Sequence, residues 1–265
     1  MSLRMILGIL ALCSVVMGVI APAVVYMTTG CRAPVSLEEL SSLRIIAKPP
    51  LVILLFPKPL VERKIYEHSI AGYKELYIEA SMATLKVTDG GSVVKVYSKL
   101  PQAARAISVE AVDDCFKLRV SESRVVVELG DRAPRSLQLV VGSGVASIDT
   151  MRPLDNVSVT VDSGVLSIHN LYVRRLFKAR VSTGTITASI HASKGSIVDV
   201  GLETGSGSIS IYVPAGVGVC IKTSRSLTCP ITVATSNIVE SCGKDSITVK
   251  LSCSTGSLSV TIAGG

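Results

Sequence analysis

The chain has 265 residues, a net charge of +7, 48% hydrophobic residues and no tryptophan. Its apolar content suffices for a packed core, and Val, Ile and Leu beside abundant Ser, Thr and Gly favour strands and tight turns over helices. The basic residues are scattered with no aromatic residues between them, which excludes a base-stacking surface and leaves no nucleic acid among the expected partners.

Residues 1–4 carry Arg4, and the run from Met5 to Met27 carries no charge. At 1.5 Å per residue this run extends about 34 Å, enough to cross a bilayer, so residues 5–27 are read as a transmembrane helix retained as a signal-anchor. Ala21-Pro22-Ala23 offers small residues to a peptidase, so cleavage stays open as an alternative. With Arg4 on the short side, residues 1–4 are expected in the cytoplasm and the remainder outside a cell membrane crossed once. Gly30-Cys31 after an apolar stretch resembles a lipoprotein processing site, although Thr28 stands where an aliphatic residue belongs.

Residues 28–68 read as a juxtamembrane segment. Ser36-Leu37-Glu38-Glu39-Leu40 has the capped, acidic start of a short helix, which Pro49-Pro50 must end. Leu51-Val52-Ile53-Leu54-Leu55-Phe56 is too short to span a membrane and is expected to be a strand packed over the end of the next domain.

From residue 69 to 265 the chain repeats itself. Val141-Gly142-Ser143-Gly144-Val145-Ala146-Ser147-Ile148, Val161-Asp162-Ser163-Gly164-Val165-Leu166-Ser167-Ile168 and Val181-Ser182-Thr183-Gly184-Thr185-Ile186-Thr187-Ala188 share one pattern at a spacing of 20. Further copies carry Gly205 and Gly256, and weaker ones place Ala83, Arg124 and Arg225 at the glycine position. A degraded copy is expected near Ala104, giving about nine rungs of roughly 20 residues. Strict alternation on both sides of each glycine means two short strands per rung with one buried face. Such a unit buries that face only by stacking on its neighbours about 4.8 Å away, so the predicted fold is an all-β, single-domain β-solenoid. The corner glycines Gly144, Gly164, Gly184, Gly205 and Gly256 serve the sharp turn. The hydroxyls before them, Ser143, Ser163, Thr183, Thr204, Ser224 and Thr255, form a ladder expected to satisfy corner backbone groups.

The [Ser/Thr]-Gly-x-[apolar]-x-[apolar] corners at those five glycines resemble the toastrack or putative-adhesin domain, a short β-solenoid of bacterial and archaeal envelope proteins of the LiaG-like kind. The resemblance covers about 190 residues and implies envelope-stress sensing or surface adhesion, with no catalytic motif to carry over. The Arg residues at two corner positions and the four late cysteines depart from the family pattern.

Cys220, Cys229, Cys242 and Cys253 cluster at the C-terminal end and read as one or two disulfides in an oxidising exterior, with the pairing open. No Cys-x-x-Cys, phosphate loop, Gly-x-Ser-x-Gly or His-Glu-x-x-His occurs, so neither metal nor cofactor is expected. Asn156-Val157-Ser158 is an N-glycosylation acceptor. An enzyme acting on acidic glycans, a lyase or hydrolase, would draw on Asp149, Asp155 and Asp162 with Arg152, or on Arg174, Lys178 and Arg180. These acidic residues fall near turns, where Asp commonly braces the backbone. The reading preferred is a membrane-anchored interaction module that binds a surface protein or glycan without catalysis, and that self-associates through an edge strand at Thr261.

Overall fold

The computed structural model describes residues 44–48, 51–55, 61–99, 107–225, 228–236, 242–243 and 245–264. The expected span at 5–27, the start of the short helix and Cys31 lie outside these residues. Two compact units divide at residue 60. In the first, β1 (Arg44–Lys48) pairs antiparallel with β2 (Leu51–Leu55), Arg44 opposite Leu55 and Lys48 opposite Leu51. The helix expected to run up to Pro49 is therefore a strand over its last residues, where Ile45 and Ile46 favour extended backbone.

The second unit is all-β. It holds β3 (Arg63–Ser69), β4 (Glu75–Asp89), β5 (Val93–Ser98), β6 (Ser108–Val112), β7 (Cys115–Val120), β8 (Ser123–Leu129) and β9 (Ser136–Asp149). After them come β10 (Leu154–Ala192), β11 (Ile197–Val213), β12 (Val219–Arg225), β13 (Ile231–Ser236) and β14 (Ile247–Gly264). Since β3 is paired in this sheet, the unit starts ahead of residue 69.

β4, β9, β11, β14 and each half of β10 are bent strands with two arms. Pairing runs in register along the first arm, skips one residue at Ser81, Gly142, Asp162, Ser182, Glu203 or Ser254, and resumes along the second. The inside–outside alternation changes phase across that bend, from Val157, Val159 and Val161 buried to Leu166 and Ile168 buried. The phase change keeps both arms facing one core, whose residues form a single apolar cluster. Neighbouring levels are parallel: Gly164 pairs with Gly144, Gly184 with Gly205, and Gly205 with Gly256.

Ala83 pairs with Gly144 on one side and Ser123 on the other, so β4 lies between β8 and β9. Likewise β14 lies between β11 and the pair β12 and β13. The levels are therefore not stacked in chain order at either end, contrary to the expectation from the repeat. Two other expectations change with this. Ser123, not Arg124, is level with the corner, and Arg225 pairs with Cys253, three residues short of it. Among the described residues eight levels run parallel: β7 with β8, β4, β9, the two halves of β10, β11, β14, and β12 with β13. Near the expected copy at Ala104, β6 runs antiparallel to β7 instead. Bent, continuous strands fill the middle, and the outermost parallel levels are each split in two. A split level needs no glycine corner, which is why its copies had lost the motif.

At the N-terminal end, aromatic rings close the core: His68 stacks on buried Phe116 at 4.8 Å between centroids, and Tyr73 lies 5.5 Å from Phe116. At the other end two disulfides, Cys220–Cys242 and Cys229–Cys253, tie down β12 and the approach to β13.

Candidate binding surface

The outer face of the second arms is an ordered array of hydroxyls. Thr187, Ser208 and Ser259 lie side by side on neighbouring levels, and Ser189, Ser210 and Thr261 form the next column. Ser147 and Ser167 continue the first of these columns into β9 and the first half of β10. Because the inward residues are apolar and the levels are in register, the outward residues repeat at the inter-strand distance of about 4.8 Å across the sheet. The corner hydroxyls Ser143, Ser163, Thr183, Thr204 and Thr255 border this array and are exposed. Ser224 is not among them, since it pairs with Ser252 on the first arm.

The corner itself is backbone packed on backbone. Gly144, Gly164, Gly184, Gly205 and Gly256 have φ from 120° to 143°. A Cβ on Gly184 would stand 1.8 Å from the carbonyl oxygen of Gly164, and each glycine meets its neighbour in the same way. Only glycine permits that approach. Ala83 takes the position at the foot of the column without positive φ.

Where the array ends, three rings stack. Tyr172 lies 4.3 Å from His191 with planes 7° apart, and His191 lies 4.7 Å from Tyr212 at 17°. His191 and Tyr212 share a register position, but Tyr172 stands one residue later relative to its corner glycine. The alternation slips at His169 and Asn170, both exposed, and Asn170 has φ 52°. A slip of this kind re-aims the next side chain. Sequence reasoning missed this ladder. The shared spacing of His191 and Tyr212 from their glycines was the available signal, and Tyr172 gave none.

The outer face of the first arms is more charged. A shallow groove of about 310 Å³ is lined by Glu75, Tyr77, Cys115, Lys117, Gln138 and Asn156, among others. The Lys117 ammonium stands 5.1 Å from the centre of the Tyr77 ring. Burial, reinforced by Glu75, raises the Cys115 thiol above its ordinary pKa, which disfavours a reactive thiolate. Asn156 is half-buried and its Nδ2 donates to Ser136 Oγ at 3.1 Å.

The residues named for catalysis are dispersed. Asp155 meets Arg174 at 3.9 Å, and Asp149 pairs in register with His169. Arg152 donates to the Asp131 carbonyl at 2.6 Å, and Arg180 is bound to Asp199 at 2.8 Å. Asp162 and Lys178 are exposed. Among the described residues no group of His, Cys, Asp and Glu has the arrangement of a metal site. Thr261 is not on an edge: it pairs with Ser210 on one side and Ala234 of β13 on the other, because β13 adds outside β14.

No family model matches this chain, and no curated protein matches it in sequence. Solved structures similar to it include a "putative cell adhesion protein" from Clostridium sporogenes, at 14% identity and a TM-score of 0.44 over 76% of this chain and 99% of that one. A "putative adhesin" from Bacteroides fragilis is 13% identical, with a TM-score of 0.34 over 77% of this chain and 98% of its own. A "putative lipid binding protein" from Parabacteroides distasonis is 12% identical, also with a TM-score of 0.34, over 75% of this chain and 96% of its own.

Proposed function

We propose that the chain is a β-solenoid held at the outer side of a cell membrane by residues 5–27, and that it works by binding a surface partner rather than by catalysis. The observation that carries the reading is the in-register hydroxyl array of the second arms. A flat surface of exposed Thr and Ser at fixed spacing can form many weak hydrogen bonds to an extended, repetitive partner. It has neither the cleft nor the opposed carboxylates that bond cleavage in glycans requires. The two C-terminal disulfides support an oxidising compartment. We propose further that copies associate edge to edge through β13.

Retention on isolated cell envelopes tests this reading with the full-length chain. Thr187→Lys, Ser208→Lys and Ser259→Lys together place three cations on adjacent levels without touching the core. The triple variant is expected to lose envelope retention while keeping its far-UV circular dichroism. Undiminished retention overturns the proposal. External protease should cleave the 61–265 unit on intact cells, and protection from it removes the assigned location.

A further inference from the structure

The aromatic ladder stops two levels short of the end of the sheet, ahead of β14 and β13. β14 continues the stack past β11, and Ala263 pairs in register with Tyr212, as Tyr212 does with His191. A methyl group thus occupies the position that carries a ring on the previous levels. Tyr212 is left 41% exposed and Tyr172, at the other end, 38%. The result is a ledge: one face of Tyr212 is covered by His191 and the other overhangs Ala263. Two residues back along the strands, Ser210 and Thr261 stand side by side beside the ledge. On the far side of β14, Ala234 pairs with Thr261 and Ser236 with Ala263, and none of Ser189, Ser210, Thr261, Ala263, Ala234 and Ser236 carries a charge.

We propose that this ledge is a saccharide subsite, in which the open face of Tyr212 takes the C–H face of an uncharged, β-linked gluco-configured pyranose as the next ring of the ladder. A gluco-configured pyranose has its hydroxyls equatorial, so its faces present C–H groups and its rim presents donors and acceptors. The C–H face suits the negative face of the tyrosine ring. The rim suits the hydroxyls of Ser210 and Thr261, with the hydroxyl array continuing along the glycan. The inference rests on the binding reading above and gives that surface a ligand class.

The chain has no tryptophan, so Tyr212→Trp in the full-length protein introduces a single fluorescent ring in place of the tyrosine. Cellohexaose and N-acetylchitohexaose are the probes. At least one is expected to shift the indole emission saturably. Adding Ala263→Tyr fills the ledge with a protein ring and is expected to weaken that binding by about tenfold or more, the equivalent of one lost stacking contact. Since this change extends the ladder, the unfolding temperature should hold or rise, whereas a purely structural ladder predicts unchanged binding. A shift with neither saccharide, or binding indifferent to Ala263→Tyr, overturns the inference. Envelope retention separates the two levels of failure. If the saccharides fail while the triple lysine variant still loses retention, the saccharide subsite falls and the binding reading stands. If that variant is retained as well, both fall.

Discussion

Gly184 shows how one residue holds the level spacing on which the surface depends. Its φ of 139° is disfavoured for any side chain, and its missing Cβ leaves the space in which the Gly164 carbonyl sits. Gly184→Ala therefore forces either the backbone or the register to shift, and is expected to cost about 3 kcal/mol or more. Gly195 makes the informative contrast, because its φ is 75° but nothing lies within 4 Å of a Cβ there. Gly195→Ala carries only the conformational penalty, about 1 kcal/mol. Urea unfolding of both variants measures the difference, and equal losses would show that close approach plays no part at the corner.

Among the elements, β12 and β13 are held differently from the bent strands between which the core is formed. Neither has a second arm of its own, and both pair only with β14 among the described residues. Their attachment is reinforced covalently, by Cys220–Cys242 at a sequence separation of 22 and Cys229–Cys253 at 24. Loops of that length are stabilised by about 3 kcal/mol per crosslink. Replacing Cys229 and Cys253 with Ala should lower stability by that order and open residues 228–236 first, read as earlier proteolysis there than in β9 to β11. At the opposite end the stabilising groups titrate. Burial, with Tyr73, raises the Tyr66 pKa above 10.0; burial, with Glu79, raises Tyr77; and the hydrogen bond to Glu128 raises Lys95 above 10.5. Each group holds its proton more tightly folded than unfolded, so this stability is fully present below about pH 10 and is lost as pH rises through the raised values. Tyr66→Phe should flatten the alkaline decline in unfolding temperature, and an unchanged slope would remove Tyr66 from the account.

For the whole molecule, the repeat showed which residues turn the corners and which faces are buried, because alternation and small residues are local consequences of strand and bend. It could not show the order of levels, since a copy's phase is the same whether it stacks on its chain neighbour or two places away. β4 and β14 took the inner places because they carry both arms unbroken, and Thr261 came inside with β14. Among the described residues, the strands paired on one side only are therefore others. β3 carries Arg63, Lys64 and Glu67; β6 carries Glu110; and β12 carries Lys222 and Arg225. β13, Ile-Thr-Val-Ala-Thr-Ser, carries no charge. Charged residues on an edge oppose the addition of another strand, which is the ground for proposing β13 among these edges as the one that joins a second copy. Thr232 and Ala234 are exposed on it. Thr232→Lys with Ala234→Lys should shift the full-length chain toward monomer in light scattering, while Thr261→Lys, on a strand already paired on both sides, should leave the distribution unchanged. Loss of association with Thr261→Lys alone, or a monomeric wild type, would remove β13 as the joining edge.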